Sequence, residues 1–76
     1  MKRGQKAIVT GLPKGFLDDL PQEDQAAITA ILGKPIRFRG FDDAGRAELE
    51  FREVDGTLHF IYLAQQFIRP ATRRRR

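Results

Sequence analysis

Few side chains in this chain are suited to chemistry. Its 76 residues contain no Ser and no Cys, so the common hydroxyl and thiol nucleophiles, disulfides and thiolate metal sites are absent. The four Thr, at positions 10, 29, 57 and 72, have no base at a telling spacing. His59 is the only His and sits in the apolar run LHFIYL. If the preceding turn is a two-residue turn on Asp55-Gly56, His59 lies opposite Arg52, and a neighbouring cation argues against a base or a metal ligand. It reads as a partly buried structural histidine. Asp18-Asp19 and Asp42-Asp43 are adjacent carboxylates. A hard cation wants roughly six or more oxygens, and the spacing of a calcium loop is missing. Asp42-Asp43 already has a sufficient explanation as a turn. Lys14-Gly15 is not a phosphate loop, because the glycine spacing is wrong and no Ser or Thr follows the Lys. The expectation is a chain that is not an enzyme, with no metal and no cofactor.

Charge is the second resource. The net charge is +4, from fourteen basic and ten acidic residues. Seven of the basic residues are at the ends: Lys2, Arg3 and Lys6 at one, Arg73, Arg74, Arg75 and Arg76 at the other. Residues 7–72 therefore carry seven basic and ten acidic side chains, a net of −3. A mildly acidic body with basic ends fits either a solubilising tail or an electrostatic footprint for phosphate.

These residues must be positioned by the segment over residues 35–63, which reads PIRFRGF-DDAG-RAELEFREV-DG-TLHFIYL. Three alternating runs joined by two turn signals predict a three-stranded antiparallel meander. With Asp42-Asp43-Ala44-Gly45 as the first loop, Phe41 pairs with Arg46, Gly40 with Ala47, Phe38 with Leu49 and Ile36 with Phe51. Arg39 then faces Glu48 and Arg37 faces Glu50, so one face is apolar and the other carries two opposite-charge pairs. A loop one residue shorter would set Phe38 against Glu50. Gly45 can take the left-handed position that closes a four-residue loop. The second hairpin has two registers. A two-residue turn on Asp55-Gly56 sets Phe60 and Tyr62 against Phe51 and Leu49. A three-residue loop of Val54-Asp55-Gly56 puts Ile61 and Leu63 on the core face instead.

The remaining elements follow in order. Residues 6–10 read as a short first strand, closed by the Gly- and Pro-containing GLPKG. Pro21 to Leu32 reads as the one helix, with Pro in the first turn, Glu23 and Asp24 at its positive end and Gly33 to stop it. Ala27, Ile28, Ile31 and Leu32 form an apolar stripe expected to lie over the sheet as a lid, with Leu17 and Leu20 alongside. Ala64-Gln65-Gln66 predicts a 3₁₀ turn, and Phe67-Ile68-Arg69 a brief last strand ended by Pro70. Residues 1–72 are expected to be one domain and residues 73–76 a mobile basic tail. No apolar run approaches the roughly 20 residues of a membrane span and no leader pattern is present, so a cytoplasmic protein without membrane contact is expected.

This order resembles the SH3-like small barrel: a first strand, a long excursion, a meander, a 3₁₀ turn and a short final strand. The stretch GFDDAGRAELEF…DGTLHFIYL is similar to the central strands of bacterial SH3-like domains, and the resemblance covers roughly residues 6–70. It implies a mainly β fold, a five-stranded barrel with a helix inserted between strands 1 and 2. It does not carry recognition of proline-rich peptides, because Trp is absent and only one Tyr is present.

Two binding classes follow. The first is a protein-binding module, an interaction domain or accessory subunit, with Phe41, His59 and Tyr62 as the candidate contacts and a monomer or weak homodimer as its state. The second is an RNA- or DNA-binding barrel. In an SH3-like barrel the first and last strands are neighbours, which would gather Lys2, Arg3 and Lys6 with Arg73, Arg74, Arg75 and Arg76. Arg37 and Arg39 would be neutralised by Glu50 and Glu48. No aromatic is interleaved with the terminal cations, so base stacking is not expected.

Overall fold

The computed structural model describes residues 2–71. Its elements are β1 (Lys6–Val9), α1 (Gln22–Ile31), β2 (Pro35–Phe41), β3 (Ala47–Arg52), β4 (Leu58–Leu63), a 3₁₀ turn (Gln65–Phe67) and β5 (Ile68–Pro70). The five strands form one antiparallel sheet in the order β4-β3-β2-β1-β5. The meander, the helix between the first two strands and the turn before the last strand are as expected. The sheet does not close into the five-stranded barrel expected: β4 and β5 are its two edges and do not pair with each other. β5 is three residues long, and its pairing goes to β1.

The core lies on one face of the sheet, and alternation puts it there. Ala7 and Val9 of β1, Ile36 and Phe38 of β2, Ala47, Leu49 and Phe51 of β3, and Ile61 and Leu63 of β4 are buried. Each set occupies every second position, as a sheet covered on one face requires. Ala27 and Ile28 of α1 complete the core, with Leu17, Leu20, Ile31 and Leu32 packed against it, so the helix is the lid. No side-chain cap closes the helix start, where Pro21 stands just outside it. Gly33 leaves the helix with φ +79°, and its N–H bonds the carbonyl of Val9, 3.1 Å away, which ties the helix exit to β1.

Two registers decide what faces outward. In the second hairpin Glu53 N–H donates to Thr57 O and Gly56 N–H to Glu53 O, both at 2.9 Å, with Gly56 at φ +94°. This is the three-residue loop closed by a left-handed glycine. It pairs Leu49 with Ile61 and Phe51 with His59, and turns Leu58, Phe60 and Tyr62 to the outer face. In the first hairpin Arg37–Glu50 and Phe38–Leu49 pair as expected, but a bulge follows. Gly40 (φ +117°) pairs with Glu48 instead of Ala47, and Phe41 pairs with Ala47 instead of Arg46. One extra residue on β2 moves Phe41 from the charged face, where it was expected, to the core face. Its ring meets Phe38 edge-on at 5.0 Å between centroids.

Candidate functional site

β4 carries the most distinctive surface. Leu58, Phe60 and Tyr62 are 38, 45 and 41% exposed and alternate along the outer face of an edge strand. The backbone at the same positions is also unpartnered. Because Glu53 and Thr57 form a hydrogen-bonded pair, alternation makes Phe51–His59, Leu49–Ile61 and Ala47–Leu63 the bonded pairs of the β3–β4 ladder. The N–H and C=O groups of Leu58, Phe60 and Tyr62 therefore point off the edge of the sheet. A groove of about 320 Å³ lies along this edge, lined by Phe16, Leu20, Asp24 and Ile28 of the excursion, by Arg46, and by His59, Phe60, Ile61 and Tyr62 of β4. The opposite edge differs: β5 is short and ends on Pro70, which has no N–H to offer.

Cations flank the aromatic stripe. The guanidinium of Arg39 lies 5.7 Å from the Phe60 ring centre and that of Arg46 lies 5.6 Å from Tyr62. Arg39 also bonds Glu50 at 2.7 Å and approaches Glu48 at 3.8 Å. Arg39 thus meets both carboxylates, which were expected to be shared between Arg37 and Arg39.

The expected contact residues are on different faces. Tyr62 lies on the outer face; Phe41 is paired with Ala47 on the core face but, at the end of β2, is still 46% exposed, and His59 is packed on the core face. His59 stacks on Phe51 at 5.1 Å, and its Nε2 is 2.6 Å from Glu53 Oε2. Its Nδ1 lies 4.0 Å from Asp24 Oδ1, so its neighbours are carboxylates and not Arg52. The Nε2 contact ties β4 to its turn, and the Nδ1 edge faces Asp24 of α1 at a distance longer than a hydrogen bond.

The two acidic turns are built on their own side chains. Asp42 accepts from Ala44 N–H (2.9 Å) and Arg46 N–H (2.8 Å) through Oδ1, and from the Arg46 guanidinium through Oδ2. The Arg46 backbone N–H is the main reason its carboxyl titrates below the ordinary 3.8; the guanidinium and Ala44 N–H add to it. The Thr57 N–H does the same for Asp55. A carboxyl depressed in the folded chain stabilises the fold above its unfolded value and loses that contribution as pH falls through the folded one. Asp42→Asn and Asp55→Asn are therefore expected to lower the melting temperature at pH 7 and to flatten its decline below about pH 4. An acid limb unchanged in both variants would exclude these turns as its source.

Lys6 is directly opposite Arg37. Gly4 N–H donates to Phe38 O and Phe38 N–H to Gln5 O, both at 2.8 Å, so the β1–β2 ladder continues toward the N-terminus. The Arg3 guanidinium covers the open side of Gly40. Ala71 N–H donates to Lys6 O at 3.1 Å, so the chain leaves β5 beside Lys6. Arg73, Arg74, Arg75 and Arg76 lie outside the described residues. Lys34, Arg37 and Arg52, which sequence reasoning left out of the basic cluster, line one groove together with Lys6. The signal was Gly40, a lone glycine inside a strand pattern and hence a bulge marker.

Comparison with family models, with curated proteins and with solved structures finds no match to this chain. The functional reading therefore rests on the surfaces themselves. Among the described residues no helix is long and apolar enough to cross a membrane.

Proposed function

We propose that this chain is a non-catalytic protein-binding module of SH3-like architecture that takes up an extended segment of a partner protein along the free edge of β4. The SH3-like reading is supported by the helix-bearing excursion between β1 and β2, the meander, the 3₁₀ turn and the return of β5 to β1. One observation carries the binding mode: the backbone groups of Leu58, Phe60 and Tyr62 face a groove and have no strand beside them. An added strand satisfies those groups, and its side chains meet the aromatic stripe and the Phe16–Leu20 wall.

The test is selection of peptides from a random display library on the full chain, with Phe60→Lys/Tyr62→Lys as counter-selection. Peptides kept by the parent and lost by the variant are expected. Amide exchange in the free chain should be fast at Phe60 and Tyr62 and slow at His59 and Ile61, and a selected peptide should slow the first pair. Peptides that bind both proteins equally, or leave Phe60 and Tyr62 exchanging fast, would overturn the reading.

A nucleic-acid-binding barrel that uses the basic termini is the second reading. It is favoured by the Ala71–Lys6 hydrogen bond, which starts the segment leading to the four arginines beside the N-terminal cations.

A further inference from the structure

We infer that the groove bounded by Lys6, Lys34, Arg37 and Arg52 binds the phosphate groups of a nucleic-acid backbone. The inference deepens the second reading and rests on it, but it assigns the contact to the folded body rather than to the termini. The groove encloses about 320 Å³ where β1, β2 and β3 meet the helix exit. It gathers four cations from four separate places in the chain. Glu50 is the one carboxylate on its walls, and Arg39 holds it at 2.7 Å.

The arrangement is unfavourable without an anion. Lys6 and Arg37 are direct cross-strand neighbours, and like charges set opposite each other destabilise a sheet. Arg37 is paired in register with Glu50, which would neutralise it in a regular ladder. Here the Glu50 carboxylate bonds Arg39 instead, and Arg37 makes no ion pair among the described residues. A sheet that sets two cations together and diverts the available carboxylate is suited to a ligand that supplies negative charge. Phosphodiesters fit because guanidinium and ammonium groups hold phosphate oxygens at several points. The aromatic in the groove, Phe51, is buried and stacked on His59, so no ring is available to a base. Contacts to phosphate alone carry no sequence preference.

The test is fluorescence anisotropy of labelled single-stranded RNA and DNA of mixed sequence, titrated with the full chain over a range of salt. Parallel arms use a chain ending at Thr72, Lys6→Gln/Arg37→Gln in the full chain, and competition by inorganic phosphate and by poly-glutamate. Each lost phosphate contact should lower the slope of log affinity against log salt by about 0.7 on a single strand, so the double variant should lose about 1.4. The variant should also melt about 2 °C higher in the absence of nucleic acid, because it removes the like-charge pair. That rise separates a lost site from a lost fold. An unchanged slope in the double variant, together with binding abolished in the chain ending at Thr72, would overturn the groove and keep the terminal reading. No binding to any oligonucleotide would overturn both. Displacement of RNA by poly-glutamate as readily as by unlabelled RNA would overturn the phosphate assignment in favour of an acidic protein, and displacement by millimolar inorganic phosphate would reduce it to a free-anion site.

Discussion

Phe38→Ala is expected to be the most destabilising single substitution, lowering stability by about 3–5 kcal/mol. Phe38 is among the largest fully buried side chains, lies opposite Leu49 and supports the ring of Phe41. Truncating a buried Phe costs about 3–5 kcal/mol through lost transfer energy and the cavity left behind. At about 0.05–0.15 kcal/mol per residue, a domain of this size holds only some 4–11 kcal/mol in total. Little margin exists to absorb the loss, since the chain has no disulfide. Phe38→Leu keeps most of the volume and should cost less than about 1.5 kcal/mol. Urea melts of the two variants decide the matter: similar midpoints would mean that Phe38 does not centre the core.

Gly40→Val has the second-largest expected effect. At φ +117° a β-branched residue is strained wherever there is room for it, and here the new Cβ would also lie 3.4 Å from the Arg3 guanidinium. Strain of this kind costs about 1–3 kcal/mol. The chain has two responses. It keeps the bulge and melts lower, or it relaxes to the regular ladder, in which Gly40 would have faced Ala47 and Phe41 would have turned outward. Amide shifts at Phe41 and Glu48 distinguish the two. A variant as stable as the parent, with unchanged shifts, would mean that residue 40 does not need the glycine conformation.

The same glycine marks the limit of what the sequence makes legible. Strict alternation of Ile36 and Phe38 with Leu49 and Phe51 is enough to place the first hairpin up to Phe38. The bounds of the helix and the end of the last strand follow equally well from punctuation by Pro21, Gly33 and Pro70, whereas the pairing of the last strand with the first was expected only from the resemblance to SH3-like barrels. Period-two reasoning fails at the bulge, because an inserted residue reverses every face beyond it. That is why Phe41 was expected on the charged face. The second hairpin stayed open for a different reason: Asp55-Gly56 suits a two-residue and a three-residue loop equally, and only packing of Ile61 and Leu63 selects between them. The neighbours of His59 depended on that choice. The edge groove was out of reach of local pattern altogether, since its far wall is Phe16 and Leu20, some forty residues from β4 along the chain.

The two ends of the sheet are unequal, and this restricts how copies of the chain can assemble. A filament needs two adhesive edges on every molecule, so that each added copy exposes a fresh template. Here β4 offers one, while the other edge stops after three residues at a proline. If two copies meet edge to edge through β4, each covers the other's β4 edge and growth through that edge ends at the pair. Pairing of copies through β4 alone would thus close at two chains and not build a fibre.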